Sequence, residues 1–536
     1  MEIKNLRLLM LVALALVITS GEVISQKVII DFNNFGALKA YHSRHTSNIS
    51  VWDQVENDCQ ADVPREIIQV YGNIPRQTQA DFQTQVEGNV SISNTFFTSY
   101  EKPFFEIDAK KSDYKSAFAC LTGIMPDDQA TFRQDCNYFE EFANFYFFLQ
   151  QRSEEPYRRL GKDYSFKIVD SKQTLDELYK NPDELGVILN ISGGHVLSNS
   201  VYLENGLHKS PDFKAMLIEN VHRIKGVKPI LENTDEFLLV PVFSISLASY
   251  FDNALCGSVL PPDGYRQGFS GLVKTHKNST FDMGMTQLGF DIANELLNDR
   301  VGRRVLIDIS GMSALARRDY YDLLDTKRNQ GLNIPIIASH VGISGQSWSK
   351  TRYYDPDHKN KNKNSWLNNW STNLATEEIH RIFESKGMIG ITLDGTYLFG
   401  GRVERELSRV ILGSAQERKT YLKAILANIL TVVNTVNRRE AWDIVTIGSN
   451  FDNFAPAIRM YSDATELLQL KYDIYEFLEE PEDIFTLFSE EEVRRLMFRY
   501  TPEEIVNKLF SDNALAFFHK HLPDTRLATK NLPIDD

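Results

Sequence analysis

Polar side chains that could do chemistry follow short apolar runs at several points of this chain. They stand in "NISGGH" (Ser192, His195), "LIDIS" (Asp308), "IIASH" (His340) and "IGSNFD" (Asn450, Asp452). A serine near a histidine could supply a nucleophile and a base, and histidines with carboxylates could bind a catalytic metal ion. Asn450 occupies a place where a hydrolase built on parallel strands would carry a carboxylate. Its amide therefore bears directly on what the chain can catalyse.

These residues need elements that bring the ends of strands together. Continuous, β-branched apolar runs, as expected for strands buried on both faces, recur at 27–32, 89–97, 186–192, 237–246, 304–310, 334–339, 387–394 and 443–449. Helical patterns precede several of them, as at 286–300 and 376–386. This alternation predicts a (β/α)8 TIM barrel with insertions, in which all strands end at one mouth. A doubly wound open sheet is the alternative.

The bulk composition is that of a globular protein with a large core. The chain has 536 residues, of which 42% are hydrophobic and 24% charged, so one large domain with insertions or two domains are expected. A net charge of −14 excludes a nucleic-acid partner bound through clustered basic residues. The barrel is expected over 26–520, with inserted helices near 98–185 and a C-terminal tail at 521–536.

The first 25 residues have the layout of an export signal. A basic start precedes the apolar stretch "LLMLVALALVITS", and small residues predict cleavage near Ser25–Gln26. An uncleaved N-terminal anchor is the alternative, although the stretch is short for a membrane span. No other stretch is apolar enough to cross a bilayer, so we expect a periplasmic or extracellular protein. In that setting a Cys120–Cys136 disulfide is one option.

The order and spacing of these motifs resemble a known enzyme family. The motifs are "SGGHVL" (192–197), "GMTQLG" (284–289), "LIDISGMS" (306–313), "IIASHVG" (336–342) and "IGSNFD" (447–452). They resemble motifs of the membrane dipeptidase (renal dipeptidase) family, over about residues 27–520. The segments 31–40 and 247–257 resemble a bacterial exported branch of it. The resemblance implies a (β/α)8 barrel of the metal-dependent hydrolase type, hydrolysis of dipeptides by two zinc ions, and a homodimer as one expectation.

Carried over position by position, the resemblance implies that most of the metal ligands are substituted. The five substituted positions of six are Asn33, Phe35, Ser192, Gly311 and Asn450. His340 is the retained ligand. The family's substrate-facing histidine falls at Ser249 or Tyr250 in this chain. The remaining polar candidates for the cleft are His195, Asp308 and Asp452.

These substitutions remove the chemistry that the resemblance implies. A catalytic zinc is typically held by three His, Asp, Glu or Cys ligands, and two adjacent dications need anionic bridges. Phe35 and Gly311 offer no ligand atom, and Ser192 and Asn450 offer neutral oxygens that bind zinc poorly. We therefore expect no cofactor, with zinc only if the family activity is retained.

Three functions remain open on the sequence. The first is an exported, catalytically impaired dipeptidase homologue that keeps a cleft for a peptide or another small ligand. The second is an active metallodipeptidase with an atypical or single-metal site, to which His42 and His45 in "YHSRH" could contribute. The third is a cell-envelope interaction protein that uses the polar loop 353–372, with its aromatic residues Tyr353, Tyr354, Trp366 and Trp370. A serine nucleophile at Ser192 lacks the Gly-x-Ser-x-Gly elbow. If His42 and His45 do not bind a metal ion, both are expected to be solvated loop residues.

Overall fold

A computed structural model describes most of the chain as alternating strands and helices. The described residues are 29–43, 49–55, 77–105, 122–124, 129, 134–153, 155–159, 161–204, 207–232, 234, 236–238, 240, 242–259, 282–350, 364–453 and 457–524. The strands are β1 Ile29–Asn34, β2 Val90–Phe97, β3 Tyr157–Arg159, β4 Lys162–Ile168, β5 Glu184–Ser192, β6 Ser244–Ser246, β7 Leu306–Asp308, β8 Ile337–Val341, β9 Met388–Ile391 and β10 Val445–Ile447.

The α-helices follow the strands in chain order and lie between them. They are α1 Leu38–Ser43, α2 Phe82–Glu87, α3 Tyr138–Arg152, α4 Lys172–Lys180, α5 Ser200–Glu204, α6 Pro211–Ile224, α7 Gln287–Leu297, α8 Ala314–Asn329, α9 Thr376–Ser385, α10 Gly395–Leu398, α11 Gly401–Leu407, α12 Ala415–Val436, α13 Leu467–Glu479, α14 Glu490–Leu496, α15 Pro502–Asn507 and α16 Asn513–His521. No helix in the described part of the chain has the length and hydropathy that a bilayer crossing requires.

The strands form a nearly closed parallel barrel, which confirms the predicted fold class. Their order is β1-β2-β5-β6-β7-β8-β9-β10, and each neighbouring pair is parallel. Each of the eight predicted apolar runs overlaps one of these strands. Continuous apolar runs predicted them well, because barrel strands are covered by side chains inside and by helices outside.

Asp31 joins the first and last strands where the ladder is incomplete. Only an isolated bridge between Asn34 and Phe451 pairs the two strand ends among the described residues. The Asp31 carboxylate accepts a 2.9 Å bond from the Ser449 backbone N–H and a 2.6 Å bond from the Ser449 hydroxyl. Burial raises the pKa of Asp31 to about 6, and these hydrogen bonds oppose the rise. A side chain thus supplies contacts that a backbone ladder would otherwise make.

A hairpin extends the barrel wall on one side. β3 and β4 pair in antiparallel fashion, and β4 runs parallel to the first half of β5. The second half of β5 pairs with β6, so β4 and β6 share one edge of the same long strand. This hairpin lies with α3 and α4 in the region 98–185, for which the sequence suggested inserted helices only.

Two predicted strand boundaries are wrong. In the run 237–246 only Ser244–Ser246 forms a barrel strand, and Phe237 instead pairs with Pro229 in an isolated antiparallel bridge. The run 443–449 does not start as a strand, because Arg439–Ile444 forms a 3₁₀ helix and the strand starts at Val445. The Trp442 indole donates a 2.8 Å hydrogen bond to the Leu496 carbonyl, so the buried ring anchors the C-terminal helices.

Candidate functional site

Strand register brings the predicted polar residues to one level of the barrel. Ser192 on β5 is aligned with Ser246 on β6, and Ser246 is aligned with Asp308 on β7. Ser246 donates a 2.8 Å hydrogen bond to the Ser310 carbonyl just beyond β7. Because parallel strands end at the same face, the mouth of the barrel collects residues that are far apart in the sequence.

A hydrogen-bonded network centred on Ser339 links three strands. Asp308 Oδ1 accepts 3.0 Å bonds from the backbone N–H groups of Ser310 and Ser339. Asp308 Oδ2 accepts a hydrogen bond from the Ser339 hydroxyl. Asn33 Nδ2 in turn donates a 2.9 Å hydrogen bond to the same hydroxyl oxygen. His340 Nδ1 lies 3.0 Å from the same hydroxyl oxygen. Burial lowers the pKa of His340, and the nearby Asp308 carboxylate only partly offsets this, so the imidazole is neutral near pH 7.

Two amides occupy the join between β1 and β10. The Asn450 backbone N–H donates to the Asn33 carbonyl at 2.8 Å, and Asn450 has a positive φ of 63°. Asn450 Oδ1 accepts a 2.9 Å bond from Asn453 Nδ2. Asn33 Oδ1 and Asn450 Nδ2 are both sealed from solvent without a hydrogen-bond partner among the described residues. These amides bond to neighbouring protein groups and present no carboxylate to a cation.

The other three positions that the resemblance assigns to metal ligands, Phe35, Gly311 and Ser192, do not have metal-binding surroundings. Phe35 is 2% exposed, and its ring packs against Phe96 with the centroids 6.1 Å apart. Gly311 has a φ of 79°, which favours glycine at this bend after β7. The half-buried Ser192 hydroxyl makes no hydrogen bond within the described residues. No base is bonded to it, so its surroundings do not support a serine nucleophile.

His195 is a buried residue behind the strand ends. Its Nε2 donates a 2.6 Å hydrogen bond to the Ser99 carbonyl, and its ring contacts Tyr138 edge-on with centroids 5.2 Å apart. Burial lowers the pKa of His195 to about 4, so the ring is neutral at physiological pH. Its Nδ1 is buried and makes no hydrogen bond to any described residue.

Asp452 fixes the loop after β10 to the segment before α2. Its two carboxylate oxygens each accept a 2.8 Å bond, from the backbone N–H groups of Gln79 and Ala80. Burial raises the pKa of Asp452 to about 7, whereas the attraction of Lys39 lowers it. Burial in turn lowers the pKa of Lys39 to about 8, which the Asp452 charge opposes. The two backbone hydrogen bonds to Asp452 therefore hold the loop after β10 against the segment before α2.

Glu101 is a mouth residue that the sequence reasoning missed. It is 3% exposed and accepts a 2.9 Å bond from the Phe251 N–H on the loop after β6. Burial raises the pKa of Glu101 to about 8, against the effect of hydrogen bonds from the Phe251 and Tyr250 backbone. It stands four positions after the predicted strand 89–97, so its position after a strand was a signal in the sequence.

The two candidates for the substrate-facing position lie beside Glu101. Ser249 Oγ donates a 2.9 Å bond to the Phe251 carbonyl. The Tyr250 hydroxyl approaches Asn453 Oδ1 at 3.4 Å, across the mouth from its own strand. Burial raises the pKa of Tyr250, and the nearby Tyr397 and Glu101 add to the rise. Tyr250 therefore lies among the ends of several strands.

The structure corrects the solvated-loop interpretation of His42, and part of the predicted rim lies outside the described residues. His42 is on α1 and is only 4% exposed, and its ring centroid lies 5.0 Å from that of Tyr100, because α1 packs into the barrel wall.

Trp366, in the predicted rim loop 353–372, anchors the described end of that loop. Its ring stacks on Phe485 with the centroids 4.0 Å apart, and its indole N–H donates a 2.8 Å hydrogen bond to the Thr486 hydroxyl. His45, Tyr353, Tyr354, Ser25–Gln26 and Cys120 lie outside the described residues.

The donor set at the mouth does not fit a zinc site. The described residues contain no group of three His, Cys, Asp or Glu side chains placed to hold a metal ion. Asp308 is hydrogen-bonded to Ser339 and two backbone N–H groups, and Asn33 is bonded to the same serine. His340 is thus accompanied by hydrogen-bonded polar groups and lacks a second and a third ligand.

Comparisons with known proteins return distant structural similarities. A metallopeptidase described as dipeptidase AC has a TM-score of 0.46 and 12% identity, with 93% of this chain and 99% of that chain covered. The probable dipeptidase PvdM from Pseudomonas aeruginosa has a TM-score of 0.46 and 13% identity, over 94% of this chain and 98% of that chain. A metallopeptidase from Rhodobacter sphaeroides, liganded with a phosphinate mimic of the dipeptide L-Ala-D-Ala, has a TM-score of 0.44 and 14% identity. The match covers 92% of this chain and 99% of that chain.

Sequence comparisons add no relative. No protein-family model matches the chain, and no curated protein matches it significantly. Because every one of the TM-scores above is below 0.5, the function proposed below depends on the residues of this chain.

Proposed function

We propose that this chain is an exported, dipeptidase-like barrel that has lost two-zinc hydrolysis and uses its mouth to bind a small ligand. One observation carries the proposal: five of the six positions that the family resemblance assigns to zinc ligands bear no zinc-binding side chain. A network of hydrogen bonds around Ser339 lies at the mouth instead. Without a metal ion, nothing lowers the pKa of an attacking water or polarises a peptide carbonyl.

The persistence of the surrounding polar groups supports a retained binding function. Buried polar atoms cost free energy when they lack partners, about 1–3 kcal/mol for each group. Asn33 Oδ1 and Asn450 Nδ2 are such atoms, and they lie at the same join between strands. A mouth that served only as barrel packing would be expected to replace them with apolar side chains.

The proposal is tested by metal analysis and hydrolysis in parallel. The full chain, purified without chelators and dialysed against zinc, is measured for bound metal and for cleavage of a dipeptide series. We expect less than about one tenth of an equivalent of zinc, and no hydrolysis that a chelator removes. One or two tightly bound equivalents with chelator-sensitive hydrolysis would overturn the proposal in favour of an atypical metallodipeptidase.

Export is a separate part of the proposal and has its own measurement. N-terminal sequencing of the protein recovered from its host should begin near Gln26. An N-terminus at Met1 on protein recovered from the cytoplasm would overturn export without affecting the assignment of the mouth.

A further inference from the structure

The contacts of Ser339 determine where the proton of His340 lies. The Ser339 oxygen contacts Asp308 Oδ2, Asn33 Nδ2 and His340 Nδ1. The Ser310 hydroxyl oxygen lies 3.5 Å away, beyond the usual length of a hydroxyl hydrogen bond, so the three shorter contacts decide the assignment. A carboxylate only accepts hydrogen bonds, so the single hydroxyl proton of Ser339 goes to Asp308. The Asn33 amide N–H donates to the same oxygen, which leaves one lone pair for His340. Nδ1 of His340 must therefore carry the ring proton and donate it to Ser339.

This assignment leaves a lone pair on the other ring nitrogen. A neutral imidazole protonated on Nδ1 is a hydrogen-bond acceptor at Nε2. Nε2 of His340 has no hydrogen-bond partner among the described residues. The ring as a whole is 9% exposed, and Nε2 is not among the unpartnered atoms that are sealed from solvent, unlike Asn33 Oδ1 and Asn450 Nδ2. The acceptor is therefore open to the mouth.

The surroundings of this acceptor disfavour an anion. Tyr397 meets the His340 ring edge-on with centroids 6.2 Å apart, and the Asp308 carboxylate lies behind Ser339. The Nε2 lone pair would repel an anionic group, and the Asp308 carboxylate on the far side of the Ser339 hydroxyl would add to that repulsion.

We propose that His340 Nε2 is the acceptor of a ligand site that takes a planar N–H donor group, of the amide or amidinium class, and rejects carboxylates. Ser339 and Asp308 are positioning residues that set the tautomer of His340. The inference rests on the proposed function, because in a zinc enzyme the same lone pair would bind the metal.

The tautomer is measured by nitrogen-15 NMR on the full chain labelled at histidine. The His340 signals are assigned by their loss in His340→Gln. We expect a protonated Nδ1 and an unprotonated Nε2 at neutral pH. His195 is an internal control of the opposite tautomer, since its Nε2 donates to the Ser99 carbonyl. A neutral His340 with its proton on Nε2 would overturn the inference.

The ligand class is measured with acetamidinium, acetamide and acetate, which share one heavy-atom skeleton. We expect the first two to shift the His340 Nε2 resonance in a saturable way and acetate to leave it unchanged. Ser339→Ala removes the positioning bond and should weaken acetamidinium binding about tenfold. Ser385→Ala is the matched control, because it removes a buried hydroxyl that donates to the Ile382 carbonyl near the start of β8, at the opposite end of that strand from the mouth.

The outcomes separate the two proposals. Acetate binding as tightly as acetamidinium, or no saturable shift with any probe, would overturn the ligand assignment. If Ser339→Ala does not fold, the His340 tautomer of the wild-type protein and its response to the three probes still test the ligand assignment. Zinc-dependent dipeptide hydrolysis would overturn the proposed function, whereas a proton on Nε2 in a metal-free protein would overturn only this inference.

Discussion

At the scale of one residue, Phe35 is a core residue at a position where the sequence resemblance predicts a metal ligand. Its ring is 2% exposed and packs against Phe96 on the neighbouring strand. A histidine there would have to place its ring nitrogens in a buried site against the Phe96 ring. The position is therefore closed to metal binding by packing as well as by residue type.

We predict that Phe35→His costs about 3 kcal/mol of unfolding free energy and adds no zinc, because it leaves a cavity and buries unpaired polar atoms. Phe35→Leu is the control and should cost about 1 kcal/mol, since it keeps an apolar side chain of similar size. Urea unfolding with metal analysis on the same samples measures both quantities. A stable Phe35→His protein that binds zinc would contradict the prediction.

At the scale of elements, Glu101 connects the end of β2 with the loop after β6. Its carboxyl accepts the Phe251 N–H at 2.9 Å, and burial raises the pKa of the group to about 8 from an ordinary 4.5. The native state therefore holds a proton that the unfolded state releases between these pH values. Stability from this group is full below pH 4.5 and falls as the pH rises toward 8.

Glu101→Gln removes this proton while keeping an oxygen for the Phe251 N–H. Relative to the wild type, the variant should gain on the order of 4 kcal/mol of unfolding free energy between pH 4.5 and pH 8. Glu491→Gln, at an exposed glutamate of α14, should show no such trend. Urea unfolding at a series of pH values measures the difference. Parallel curves for Glu101→Gln and the wild type would contradict the assigned burial.

At the scale of the whole molecule, one side chain completes the barrel. Asp31 accepts a 2.6 Å hydrogen bond from the Ser449 hydroxyl and a 2.9 Å bond from the Ser449 backbone N–H, at a join where the described residues form a single isolated bridge, between Asn34 and Phe451. The contacts join residues separated by most of the chain, so they form only when the barrel closes. The stability of the closed form should depend on them more than on similar bonds inside one ladder.

Ser449→Ala should cost about 2 kcal/mol of unfolding free energy, because it removes a hydrogen bond to a buried carboxylate. Ser246→Ala is the control, and it should cost about 1 kcal/mol because its hydroxyl donates to a neutral carbonyl within the barrel wall. Urea unfolding of the two variants compares them directly. An equal or smaller effect at Ser449 would contradict a special role for the join.

The sequence by itself determined the fold class and the identity of the residues at most strand ends. Buried parallel strands are continuous apolar runs, and the residue that follows such a run must lie at the mouth. Both properties are local, so Asn33, His340 and Asn450 could be placed at strand ends from their neighbours alone. The absence of ligand atoms at Phe35 and Gly311 is likewise a matter of residue type.

Only the tertiary structure decided which polar atoms meet. Ser339 contacts Asp308, Asn33 and His340 because three strands come together in one register, and no local pattern encodes that meeting. The same holds for Glu101, whose partners lie on a loop 150 positions away. Hydrogen bonds of this kind depend on distances of a few tenths of an ångström between distant segments, which are set by the packing of the whole barrel.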